Sequence, residues 1–123
     1  MLSLPEVSPI FATLMADRAD LLQGTLDLLI LKSLLPGPLH GWGISKRIRQ
    51  LSSDVLQVNQ GSLYPALYRM EERGEVKADW STSDEGRRAK FYRLTAAGRR
   101  QLKQETDLWA RISAAMARAL ETT

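Results

Sequence analysis

Seven basic side chains, Arg87, Arg88, Lys90, Arg93, Arg99, Arg100 and Lys103, lie between Gly86 and Lys103 with no carboxylate among them. The remainder of the 123-residue chain holds ten lysines and arginines against fourteen aspartates and glutamates, a net −4, although the whole chain is only +3. Positive charge gathered into one segment is the footprint of a surface that docks a polyanion. A merely solvated strand and helix face gives the same charge count, so a second signal is needed. The stretch GSLYPALYRMEERGEV, Gly61 to Val76, supplies it. Tyr64, Pro65 and Tyr68 stand near the start of an amphipathic period, with Gln60 and Ser62 beside them. Phenols, an amide and a hydroxyl can both pack and hydrogen-bond, which is recognition chemistry and not bond-breaking chemistry.

Catalytic and metal chemistry find little support. There is no cysteine, hence no disulfide, thiolate zinc site or cysteine nucleophile. His40 is the single histidine and sits in a Pro/Gly turn without the neighbours that a metal or triad requires; its expected work is to hold the entry of the following helix. Gly41 and Gly43 are turn residues, because no Gly-Lys-Ser follows them. The chain is therefore expected not to be an enzyme and to need no cofactor.

Hydrophobic period sets the elements. A first helix is expected from Asp20, as N-cap, to Leu35, with Leu22, Leu26, Leu29, Ile30 and Leu34 inward. PGPLHG stops it. A second helix, Gly43–Leu51, turns Ile44, Ile48 and Leu51 inward and Lys46, Arg47 and Arg49 outward. A loop over 52–60 holds one short strand at Leu56–Val58. The third helix is capped by Ser62, which places Pro65 in the first turn where its missing N–H has no partner to lose. Leu63, Leu67 and Met70 face inward, Tyr64, Tyr68 and Arg69 outward, and Gly74 ends the helix. VKADW and KFYRL around a Ser/Thr/Asp/Gly turn predict a β-hairpin with Arg87 and Arg88 at its tip and Val76, Ala78, Trp80, Tyr92 and Leu94 on the core side.

Thr95 caps a final helix from Ala96 to Leu120, about 37 Å long and too long for so small a domain to cover. Leu102, Trp109 and Met116 repeat every seven residues, with Ile112 and Ala119 between them, a seam interrupted by Glu105. Such a face pairs with a second copy or packs on the chain's own first helix. Three units follow: a flexible arm over 1–19, a DNA-binding domain over 20–95 and a dimerisation helix over 96–123. Met15, which opens MADRAD, is an alternative start that would make 1–14 an artefact of annotation. The apolar run LDLLILKSLL is broken by Asp27 and Lys32 and is too short to span a bilayer, and the N-terminus lacks the pattern of a signal peptide. A cytoplasmic protein is expected.

Helix, helix, helix, hairpin, helix predicts a mainly α fold with a small β-hairpin, a winged helix-turn-helix with a long C-terminal dimerisation helix. In that unit the third helix enters the major groove by its N-terminal end and the wing lies on the neighbouring backbone. The segments LLQGTLDLLILKSL, HGWGISKRI, GSLYPALYRMEERGEV and AKFYRLTAAGRRQL, in this order, resemble the PadR family of bacterial transcriptional regulators, in its smaller subgroup. Trp42 and Met70 depart from the usual tyrosine and leucine, and both changes conserve packing. The resemblance implies a homodimer on a pseudo-palindromic operator of double-stranded DNA, repression, and release by a small aromatic effector. Carried onto this chain, it puts the DNA-binding site at Ser62, Tyr64, Pro65 and Arg69 on the third helix and at Arg87, Arg88 and Lys90 on the wing, and the groups at the helix mouth add Gln60 and Tyr68. The dimer interface falls on Leu102, Trp109, Ile112, Met116 and Ala119, with Trp109 also the candidate effector contact. The alternative is a winged helix used only for protein interaction or dimerisation, which would not need so concentrated a charge.

Overall fold

The computed structural model describes residues 24–121. The arm over 1–19, the Asp20 cap and Leu22 lie outside the described residues. Helix α1 is described over 24–33 and closes in a turn whose Leu34 is buried with Ile30 and Leu31. Ser33, also buried, gives its hydroxyl hydrogen to the Ile30 carbonyl at 2.7 Å. After Pro36-Gly37-Pro38 comes β1, Leu39–His40, then α2, Gly41–Leu51, α3, Gln60–Glu72, β2, Val76–Thr82, β3, Arg88–Leu94, and α4, Ala96–Glu121.

The β structure is a three-stranded antiparallel sheet in the order β1-β3-β2, one strand more than the expected hairpin. Leu39 pairs with Tyr92 and His40 with Phe91, along the edge of β3 that the hairpin leaves open. Two residues carry no alternation to read, so β1 is invisible in the sequence; it forms because an open edge offers it a ladder. The strand expected at Leu56–Val58 does not form. The segment stays unpaired beside the β1-β3-β2 sheet, and Val58 instead packs on the core as part of a loop.

His40 does hold the entry of α2: its Nδ1 accepts the Gly43 N–H at 3.0 Å, which starts the helix two residues before the expected Gly43. Leu51, expected inside, is 49 % exposed because the last turn of α2 runs past the core.

The start of α3 also differs from expectation. Asn59, not Ser62, is the N-cap; its Oδ1 accepts the Ser62 N–H at 2.8 Å. The helix therefore begins at Gln60, and Pro65 lies in its second turn, inside the helix. There the missing N–H does matter, because the Gly61 carbonyl four residues back loses its helical donor. The end of α3 is as expected and can be read in detail. Gly74, at φ +74°, gives its N–H to Glu71, and Glu75 gives its own to Met70 at 2.9 Å, the paired bonds of a Schellman turn. Gly74→Ala is expected to cost about 1 kcal/mol, since a Cβ opposes this left-handed backbone. A urea midpoint shifted down at unchanged slope would show it; an unmoved midpoint would mean that the turn relaxes freely.

Side chains from every layer meet in one core: Ile30, Leu31 and Leu34 from α1, Ile44 and Ile48 from α2, Leu63, Ala66, Leu67 and Met70 from α3, and Val76, Tyr92 and Leu94 from the sheet. Leu102 of α4 joins them at 8 % exposure. This corrects its place in the intermolecular seam: the first turns of α4 still lie on the domain, and Leu102 packs inward there. Thr95 caps α4 as expected, its Oγ1 accepting the Gly98 N–H at 3.0 Å while donating to the Gly74 carbonyl at 2.6 Å. Gly98 is needed at this junction, because a Cβ there would collide with the Glu75 carbonyl and press Leu94 at 3.0 Å.

Candidate nucleic-acid interface

On α3, Gln60, Tyr64 and Tyr68 follow one another at four-residue spacing and all are exposed, so they form a single outward ridge. Gln60 reaches the Ser45 hydroxyl of α2 at 3.5 Å. Tyr64 lies over the N-terminus of α2; a methyl group at Gly41 would stand 2.8 Å from its Cζ. Glycine at 41 is what lets the phenol settle there.

Ser62, Pro65 and Arg69 occupy a different flank. With Leu26 and Leu29 of α1 and Leu56 and Val58 of the preceding loop they line a groove of about 540 Å³. Arg69 stands 3.8 Å from Asp27 of α1. Asp27 also takes Arg73 at 3.2 Å, and Arg73 grips Glu75 through Nε and Nη2, both at 3.2 Å. Burial raises the Asp27 pKa in spite of the two guanidinium groups, and the hydrogen bond to Glu75 is the main reason that Arg73 holds its proton still more firmly. These contacts tie the C-terminal half of α3 to α1 and to the foot of β2. Arg69 is thus part of an internal ion-pair network, where the sequence pattern puts it on the outer face.

The wing is the register Val76↔Leu94 to Thr82↔Arg88, closed by Ser83 to Arg87 with Gly86 at φ +80°. Residues on its core side alternate. Near the foot Val76 and Leu94 are buried, whereas farther out Trp80, Lys90, Thr82 and Arg88 extend beyond the core. Trp80, expected in the core, is 60 % exposed, because the hairpin outruns α3, and Arg88 lies over its ring at 5.6 Å. Burial raises the pKa of Tyr92, whose ring carries Lys90 at 5.6 Å.

Of the seven clustered cations, three have acidic partners: Lys90 with Glu71 at 3.5 Å, Arg93 with Asp79 at 3.7 Å and Lys103 with Asp107 at 3.6 Å. Arg87 and Arg88 have none among the described residues. Tyr64, Arg87, Arg88 and Lys90 come together around a groove of about 800 Å³, completed by His40, Trp42, Trp80 and Glu85. Sequence reasoning assigns neither Trp42 nor Trp80 to a site. A signal for Trp42 is present, with Lys46 one turn on and 5.2 Å from its ring; for Trp80 the alternation of β2 points the wrong way. Among the described residues no group of three or more His, Cys, Asp or Glu could hold a metal, and no helix is long and apolar enough to cross a membrane.

Beyond Leu102, α4 leaves the domain. Trp109, Ile112, Met116 and Ala119 are exposed, joined by Leu108 and Leu120, and Glu105 in the interrupting position takes a hydrogen bond from Gln101 at 2.8 Å.

Three helices, a basic wing and a projecting helix define a winged helix-turn-helix protein. The chain belongs to the transcriptional regulator PadR-like family, whose model matches residues 30–104. It is a DNA-binding regulator by family, not an enzyme. A solved transcriptional regulator from Clostridium thermocellum is 28 % identical, with a TM-score of 0.72 over 80 % of this chain and 96 % of its own. A PadR family transcription regulator from Clostridium difficile R20291 is 31 % identical, with a TM-score of 0.67 over 77 % of this chain and 97 % of its own. A 37.1 kDa protein in transposon TN4556 of Streptomyces fradiae is 40 % identical over 87 residues, 71 % of this chain and 24 % of that larger protein.

Proposed function

We propose that the protein is a cytoplasmic homodimeric repressor that binds a pseudo-palindromic operator and is released by a small aromatic effector. The observation that carries the DNA contact is the convergence on one groove of the outward tyrosine of α3 with the two wing arginines that have no acidic partner among the described residues. In this reading Gln60, Ser62, Tyr64 and Tyr68 meet base edges and sugars, Pro65 stiffens the mouth of α3, and Arg87, Arg88 and Lys90 meet phosphates. Lys90 exchanges Glu71 for the phosphate. Arg69, engaged by Asp27, serves by fixing the orientation of α3.

The dimer rests on Trp109, Ile112, Met116 and Ala119, an apolar stripe that stands exposed among the described residues. In a twofold pair the stripe meets itself, which brings the two Trp109 rings near the axis. Indoles so placed can stack a flat aromatic molecule, and such a molecule shifts the DNA-bound population by as much as its affinity differs between the two states.

Selection from a random duplex pool tests the whole. The expected product is an inverted repeat with half-site centres about 10 bp apart or slightly more. On that site Tyr64→Ala is expected to cost about 1–3 kcal/mol, and far less on random duplex. A selected site without repeat symmetry would remove the homodimer, and equal losses on both duplexes would reduce α3 to a positioning element.

A further inference from the structure

Two indoles border the groove between α2 and the wing, and neither has a role in the reading above. Trp42, in the first turn of α2, is 56 % exposed with the Lys46 ammonium 5.2 Å from its ring centre. Trp80, on the far half of the wing, has the Arg88 guanidinium 5.6 Å from its own. Tyr64 lines the same groove. Each indole of the groove therefore has a cation beside its flat face, Arg88 within the lining and Lys46 outside it. Holding a cation against a ring limits the conformations it must give up on binding and leaves its outer donors free.

We propose that this groove is a second contact with duplex DNA and takes the sugar–phosphate ribbon of one strand. The inference rests on the DNA-binding reading and extends it to residues outside the α3 mouth and the wing tip. The ribbon alternates an apolar deoxyribose with an anionic phosphate, and each of the two indoles has a cation beside it to match that pair. Trp42 and Trp80 pack on sugars; Lys46 and Arg88 take the phosphates beside them. Position argues for duplex DNA over other anions, because Tyr64 belongs both to the groove and to the ridge of α3. A duplex engaged by the ridge carries its backbone across the groove. One group opposes the ribbon: Glu85, on the rim, repels phosphate.

That opposition gives the test two signs. Affinity is measured for wild type, Trp42→Ala, Trp80→Ala and Glu85→Gln on a selected duplex and on a random duplex of equal length. Each alanine variant is expected to bind both duplexes about three- to tenfold more weakly, and Glu85→Gln about two- to threefold more tightly. Trp42→Phe and Trp80→Phe should restore most of the affinity, with thermal midpoints unchanged since both indoles are exposed. Unchanged affinities on both duplexes, a loss confined to the selected site, or weaker binding by Glu85→Gln would each overturn the ribbon contact. Should wild type itself bind no duplex, the DNA reading fails and this inference with it, a result distinct from variants that match a binding wild type.

Discussion

A chain carrying Ile112→Glu and Met116→Glu is expected to be a folded monomer that binds its operator about a hundred- to ten-thousandfold more weakly than wild type. Both side chains are exposed, and the core closes at Leu102, so the domain keeps its packing. What changes is the face proposed to meet its copy. Symmetry doubles each substitution, placing four carboxylates in or beside one apolar seam, and uncompensated charge in a buried interface is strongly disfavoured. Each domain then finds a half-site alone, without the local concentration that its partner supplies. Sedimentation equilibrium gives the state and operator titration the affinity. A variant that remains dimeric would move the interface elsewhere. Trp109→Ala is the gentler probe: Ile112 and Met116 remain, so dimer and DNA binding persist while response to a flat aromatic effector disappears. Monomers from Trp109→Ala would make that indole an interface anchor.

Removing the wing charges is expected to act differently. Arg87→Ala with Arg88→Ala should weaken binding to every duplex, by on the order of tenfold at low salt for each phosphate that is no longer engaged. A dimer engages up to four phosphates in this way, and the slope of log K against log salt should flatten by about 0.9 for each one released. Arg93 is the internal control, because it pairs with Asp79 and does not line the groove shared by Arg87, Arg88 and Lys90, so its replacement should leave the slope nearly unchanged. A slope that does not move in the double variant would take the wing off the backbone.

The order of elements is legible in the sequence because α2, α3 and the hairpin each carry their own period, and because Gly74 and Thr95 are chemically suited to the turn and the cap they form. The misplaced residues share a physical cause. Alternation says which side of a strand faces inward, not how far the covering helix extends, so it assigns Trp80 to a core that stops before reaching it. A heptad likewise says which residues share a stripe, not which turns the chain itself covers, so it groups Leu102 with Trp109. The cap of α3 differs for a subtler reason. Asn59 and Ser62 are both good caps, and the choice of Asn59 moves Pro65 one turn deeper. Of the proposed contacts, Tyr64, Arg87, Arg88 and Lys90 line one groove, but Ser62, Pro65 and Arg69 line another, a division that only the packing of α1 against α3 reveals.

The foot of the wing and the start of α4 share the same few atoms. Thr95 donates its hydroxyl hydrogen to the Gly74 carbonyl and its N–H to that of Glu75, and Gly98 rests against the latter. Wing and helix are therefore one crank. From Leu102 to Glu121 the free arm is about 28 Å, so a tilt of about 5° displaces its far end by about 2.5 Å. In a pair joined through α4, any change in how the two arms cross is geared into the separation and heading of the wings. On the proposed dimer, the distance at which two half-sites can be gripped together would then be set by α4, the caliper of the operator.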